Sequence, residues 1–162
     1  MNLDIKDLRV LITAGANGIG LEIARAFVAE GAKVHVCDVD EAALKALRTT
    51  DPTLTSSVCD VSDRKAVAKM FEEALAVLGG LDTLVNNAGI AGPTGKVDDI
   101  NPDDWDRCLA ICLTGQFNCA RLAVPHLRAS TNASITNISS AAGRFGFAMR
   151  APYAAAKWGV IG

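Results

Sequence analysis

A glycine-bearing turn between an apolar strand and an amphipathic helix constrains this chain more than any other feature. Arg9-Val-Leu-Ile-Thr13 is a short apolar run, the signature of a buried parallel strand. It leads into Thr13-Ala14-Gly15-Ala16-Asn17-Gly18-Ile19-Gly20. Leu21, Ala24, Phe27 and Val28 then recur at helical spacing until Gly31. Such a turn brings backbone amides and a helix N-terminus to an anionic group. Its glycines let that group come close and let the helix pack on the strand. Gly15-x-x-Gly18-x-Gly20 is weak as a bare pattern, but its place between strand and helix makes it specific. Gly15, Asn17, Gly18, Ile19 and Gly20 are therefore candidate cofactor-binding residues.

The same alternation continues down the chain. Lys33–Asp38 reads as a second strand, and Asp40 caps a helix that runs toward Thr49 and stops at Asp51-Pro52. Leu54–Val58 gives a third strand running into Cys59-Asp60-Val61. Ser62 or Asp63 then caps a helix with an apolar face of Ala66, Val67, Met70, Phe71, Leu75 and Leu78, closed by Gly79-Gly80. Leu81–Val85 is the fourth strand, followed by Asn86-Asn87-Ala88-Gly89. A Gly- and Pro-rich loop leads to a long helix from about Pro102 to Ser130. Ala133–Ile138 is the fifth strand, delivering Ser139-Ser140, and a last helix begins near Ala151. Apolar strands alternating with helices predict an α/β fold, a Rossmann-type doubly wound parallel sheet with right-handed crossovers. No linker or repeat divides the chain, so residues 1–162 read as one nucleotide-binding domain.

Charge and cysteine usage exclude several functions. A net charge of -2 gives no reason to expect nucleic acid or an anionic membrane surface as partner. The apolar stretches look far short of a membrane span, and Met1–Lys6 lacks the basic-then-apolar order of a signal peptide. None of the five cysteines forms Cys-x-x-Cys, and His35 and His126 have no ligand-like neighbours, so no metal site is expected. An odd number of cysteines without an export signal reads as free, buried thiols in a cytoplasmic protein.

Asp38, twenty residues beyond Gly18 and at the end of the second strand, can accept both hydroxyls of a ribose and repel a 2′-phosphate. No Arg follows it, so NAD is expected over NADP. Asp60 and Val61 could bracket an adenine, or cap the next helix. Asn87, Ala88 and Gly89 could face the cofactor, or form an ordinary turn. All fall at carboxyl ends of strands, where ligands bind in such sheets. Tyr153 and Lys157 are four apart on a helix and leave from one face. A nearby cation favours the phenolate, which lets a tyrosine trade a proton with an alcohol or carbonyl. Ser140 would hold the same substrate oxygen. Tyr-x-x-x-Lys is common by itself, and the nucleotide-binding features upstream give it meaning.

Taken together, these segments resemble the short-chain dehydrogenases/reductases over nearly the whole chain. Thr13, Gly18 and Gly20 match that family's glycine turn, Asn86-Asn87-Ala88-Gly89 its Asn-Asn-Ala-Gly, and Asn137-Ile-Ser-Ser140 with Tyr153-x-x-x-Lys157 its active-site segments. The thirteen-residue gap to Tyr153 fits Ser140 rather than Ser139. The resemblance implies hydride transfer between NAD(H) and a small-molecule secondary alcohol or carbonyl. Tyr153 would be the general acid/base, Lys157 would bind the nicotinamide ribose, and Ser140 would orient the substrate oxygen. It also implies a homo-oligomer, dimer or homotetramer, formed through the long helix and the helix carrying Tyr153. Three departures stand out. Ala14 replaces the first glycine of the turn. Cys112 replaces an asparagine that pins a distorted turn of the long helix, and a thiol is expected to leave two amide hydrogen bonds unmet. Family members also continue beyond the fifth strand, so the sheet should end at an unpaired edge. The alternatives are a nucleotide-binding protein without turnover and, more distantly, a Rossmann methyltransferase.

Overall fold

The computed structural model describes residues 5–162; Met1–Asp4, the start of the segment read for a leader, lie outside them. β1 (Arg9–Thr13) sits at the centre of a five-stranded parallel sheet. On one side it pairs with β2 (Lys33–Asp38), and β2 with β3 (Thr55–Val58). On the other it pairs with β4 (Thr83–Asn86), and β4 with β5 (Ser134–Asn137). The order β3-β2-β1-β4-β5 reverses direction between β1 and β4, and a crevice opens there at the carboxyl ends of the strands.

Both faces of the sheet are apolar because both are covered. Val10, Ile12, Val34 and Val36 face α1 (Gly18–Ala29) and α2 (Glu41–Thr50). Leu11 and Leu84 face α3 (Arg64–Leu78), which contributes Val67, Met70 and Phe71, and the helix after residue 115, which contributes Cys119 and Ala123. Asp40 caps α2 through Ala43 N at 2.9 Å. Asp63, rather than Ser62, caps α3 through Lys65 N at 2.7 Å. Gly79 ends α3 in the left-handed region at φ 75°. Arg9 and Asp82 fix the opposite rim of the sheet. Arg9 donates from Nε and Nη2 to the two carboxylate oxygens of Asp82, at 2.8 and 2.7 Å, so the start of β1 is clamped to the start of β4.

The long helix differs from its prediction. It forms as α4 (Pro102–Leu109), a π-helical turn over Ala110–Thr114, and α5 (Gly115–Leu127). The extra residue in a π turn rotates everything beyond it. Cys108 and Cys112 therefore pack with Ala156 of α6 (Ala151–Ile161), while Cys119 packs on the sheet beside Cys59 and Val61. Cys119 thus lies on a different face of the helix from Cys108 and Cys112. Pro102–Leu127 is also long and apolar enough to cross a membrane by length and composition, which corrects the expectation that no stretch approaches a span. Its buried residues face the sheet and α6, as in the core helix of an α/β domain. β5 lies at the edge of the sheet, with all four residues exposed.

Candidate active site

Thr13 ends β1, and its hydroxyl accepts from Asn87 N at 3.0 Å and Ala88 N at 2.9 Å, locking the segment after β4 to the turn after β1. Asn87 Nδ2 donates back to the carbonyls of Thr13 and Ala14, both at 3.0 Å. The Asn-Asn-Ala-Gly segment is therefore no ordinary turn, because its side chain holds the glycine turn in shape. Within that turn the residues divide by role. A Cβ on Gly15 would stand 2.7 Å from Val36, so Gly15 seats the turn against β2. Asn17, Gly18 and Ile19 are exposed, Ile19 lines the cavity that also holds Tyr153, and the side chain of Asn17 makes no cap to α1. Among the described residues, no side chain caps the first-turn amides of α1.

Ala14 occupies the left-handed region at φ 51°, which costs an alanine roughly 1 kcal/mol relative to glycine. Replacing Ala14 by Gly, the residue the family favours there, is expected to raise the urea unfolding midpoint by the equivalent of about 1 kcal/mol. A lowered midpoint would show that Ala14 is unstrained.

Two neighbouring cavities open at the carboxyl edge of the sheet and share Gly89 and Ile90. The first, about 180 Å³, is lined by Asp38, Asp60, Val61, Ala88 and Ile111 among others. Asp38 accepts Ala16 N on one oxygen at 3.1 Å and Asp40 N on the other at 3.2 Å, which aims the carboxylate and leaves each oxygen further acceptor capacity. Asp60 does not cap α3. It folds over its own turn, accepting Ser62 N at 2.9 Å and Ser62 Oγ at 2.7 Å, and stays beside the cavity.

The second cavity, about 530 Å³, brings together Ile19, Asn87, Ser140, Tyr153 and Lys157. Lys157 is 3 % exposed, and its ammonium donates to Ile138 O at 2.8 Å, 5.7 Å from the Tyr153 ring centre. Ser139 spends its hydroxyl on Lys157 O at 2.9 Å, holding α6 in place. Ser140 Oγ accepts only Ala142 N, at 3.2 Å, and keeps its proton for a ligand. That division of labour leaves the Ser140 hydroxyl, not that of Ser139, free toward the cavity. Cys112 requires a correction. Its Sγ lies 3.3 Å from both Ile90 N and Ile90 O, accepting from one and donating to the other, so the thiol does meet both groups. Sequence reasoning missed Arg150. Its guanidinium lies 5.4 Å from the Tyr153 ring centre and lines the same cavity, and its position one helical turn before Tyr153 was the available signal. No thiolate nucleophile competes with this arrangement at Cys108, where burial pushes the thiol up to about 11.

A family model described as short chain dehydrogenase matches residues 8–162. The chain belongs to the short-chain dehydrogenases/reductases. An L-fucose dehydrogenase of Bos taurus is 37% identical over 151 residues, which cover 93% of this chain and 56% of that protein. A 2-dehydro-3-deoxy-L-rhamnonate dehydrogenase (NAD(+)) of a Sphingomonas strain is 36% identical, covering 94% and 61%. The crystal structure of an NAD+-bound xylitol dehydrogenase superposes with a TM-score of 0.91 at 28% identity, over 97% of this chain and 62% of that one. The chain thus spans about three fifths of the length of these short-chain dehydrogenases.

Proposed function

We propose that the chain carries the cofactor site and catalytic residues of an NAD-dependent dehydrogenase or reductase acting on a secondary alcohol or carbonyl. The observation that carries this reading is the placing of Ser140, Tyr153 and Lys157 in one cavity, joined through Gly89 and Ile90 to the cavity of Asp38. A dinucleotide fits the residues present. The amides of Gly18, Ile19 and Gly20 would hold its pyrophosphate, Asp38 the adenosine ribose, and Asp60 and Val61 would flank the adenine. Asn87, Ala88 and Gly89 would line its path, and Lys157 with Tyr153 would meet the nicotinamide ribose. When bound, the cofactor supplies a hydride acceptor or donor.

The protein's own share is proton handling and positioning. Ser140 donates to the substrate oxygen and holds it beside Tyr153, whose phenolate takes the alcohol proton during oxidation and whose phenol returns it during reduction. Lys157, tied to Ile138 O, places a fixed positive charge beside that ring. Exposed Phe117 on α5 and Trp158 and Ile161 on α6 support a homo-oligomer formed through these helices, and the exposed β5 supports pairing with a further strand. Five free cysteines support a reducing, cytoplasmic setting. A second reading, nucleotide binding without turnover, draws on the three-fifths coverage of the relatives. Cofactor binding with no oxidation of any secondary alcohol would favour it.

NADH should bind at least about fivefold more tightly than NADPH, because a 2′-phosphate beside Asp38 is desolvated next to a like charge at a cost of ~1–3 kcal/mol. Fluorescence titration of both nucleotides tests this, and Asp38→Ala should narrow the gap. Equal affinities in the wild-type chain, or a preference for NADPH, would end the reading of Asp38.

A further inference from the structure

The cavity that holds Tyr153 carries two cations and, among the described residues that line it, no carboxylate. Lys157 is accounted for by Ile138 O. Arg150 is not. Of its five donors, Nη2 reaches Ala91 O, while the buried Nε has no hydrogen-bond partner, and no acid lies within ion-pair distance among the described residues. A half-buried guanidinium without a counter-ion is costly unless something anionic arrives to pair with it. The backbone contact to Ala91 and the Tyr153 ring hold the group in one orientation, so the remaining donors are offered as a fixed fork rather than a floppy charge.

We propose that Arg150 anchors a carboxylate on the substrate, which makes the preferred substrate a hydroxy acid or its oxo acid rather than a neutral alcohol. This rests on the reading of Tyr153 and Ser140 as the residues that hold the reacting oxygen. With that oxygen at Ser140 and Tyr153, a carboxylate a short carbon frame away meets Arg150 on the flank of the same ring. A planar guanidinium recognises a carboxylate through two parallel N–H···O bonds and gains little from a neutral amide of the same shape. Phe147, half-exposed in the same lining, offers an apolar surface for the carbon frame between the two ends. The other anion available to Arg150 is the cofactor's pyrophosphate, and the two sources give opposite results in the test.

The test is calorimetric titration of the whole chain with saturating NADH, using cyclohexanecarboxylate against cyclohexanecarboxamide, and butyrate against butyramide as an open-chain pair. The acids are expected to bind at least about tenfold more tightly than the amides. Arg150→Met should abolish that preference while leaving NADH affinity unchanged, and Arg150→Lys should restore only part of it. Circular dichroism and unfolding curves confirm that the variants fold; if Arg150→Met does not, Arg150→Gln takes its place. Equal binding of acid and amide, absence of binding by either, or a preference that survives Arg150→Met would overturn the proposal. So would a loss of NADH affinity in the variant, which would assign Arg150 to the cofactor. If NADH itself fails to bind the wild-type chain, the cofactor reading falls, and the acid-to-amide ratio measured without nucleotide still decides the role of Arg150.

Discussion

Tyr153→Phe is expected to lower kcat for oxidation of a secondary alcohol by about 10²–10⁴-fold, the usual contribution of a positioned general base. NADH affinity should fall by no more than about tenfold, the loss of one hydrogen bond to the nicotinamide ribose. The phenylalanine ring keeps the volume between Arg150 and Lys157, and the Lys157 bond to Ile138 O is untouched. The substitution therefore removes one oxygen and nothing else. Steady-state turnover and NADH titration on the same preparation separate the two effects. Turnover that survives would place the base elsewhere in the cavity, and a parallel loss of NADH binding would mean that the tyrosine holds cofactor rather than protons.

Gly20→Ala should be the most damaging small change to the scaffold. A Cβ there would stand 2.1 Å from Ala14 O and 2.6 Å from Asn87 Nδ2, the two atoms whose hydrogen bond joins the turn to the segment after β4. Neither can retreat without α1 lifting from the sheet, so we expect a loss of at least about 3 kcal/mol, the upper end for overpacking. Gly18→Ala is the matched control. Its Cβ would meet nothing within 4 Å, and only the left-handed φ of 54° opposes it, at roughly 1 kcal/mol. Urea unfolding of the two variants should rank them in that order. Equal losses would mean that the Ala14–Asn87 contact yields easily.

The fold was legible wherever local rules and burial agree. Apolar strands such as Arg9–Thr13 and Lys33–Asp38 fall at the predicted residues, and Asp40 and Gly79 end their elements as their side chains require. Ser140 lines the cavity with Tyr153, and spacing along the chain was the signal that set it apart from Ser139. What the sequence did not carry is register within the long helix. No local propensity in Ala110-Ile-Cys-Leu-Thr114 announces a π turn; only the family resemblance pointed to a distorted turn at Cys112, and the contacts with Ile90 and α6 that accompany it belong to the tertiary fold. The same limit hid the bonding of Cys112. Arg150 escaped notice for another reason: a charged residue at a helix start is ordinarily solvated, and only the cavity shows that its neighbours supply no acid.

The clamp between Arg9 and Asp82 makes this sheet sensitive to acid. The Arg9 guanidinium holds the Asp82 carboxyl well below the usual carboxylate range, with its side chain only 10% exposed. A depressed folded-state value means the unfolded chain binds the proton more readily, so the stabilisation is complete above the unfolded value of about 4 and drains away as pH falls through the folded one. Urea midpoints should therefore decline below about pH 4. In Asp82→Asn the midpoint should be lower at neutral pH and its acid slope flatter. The rim opposite the crevice would then set how sour a solution this domain can survive.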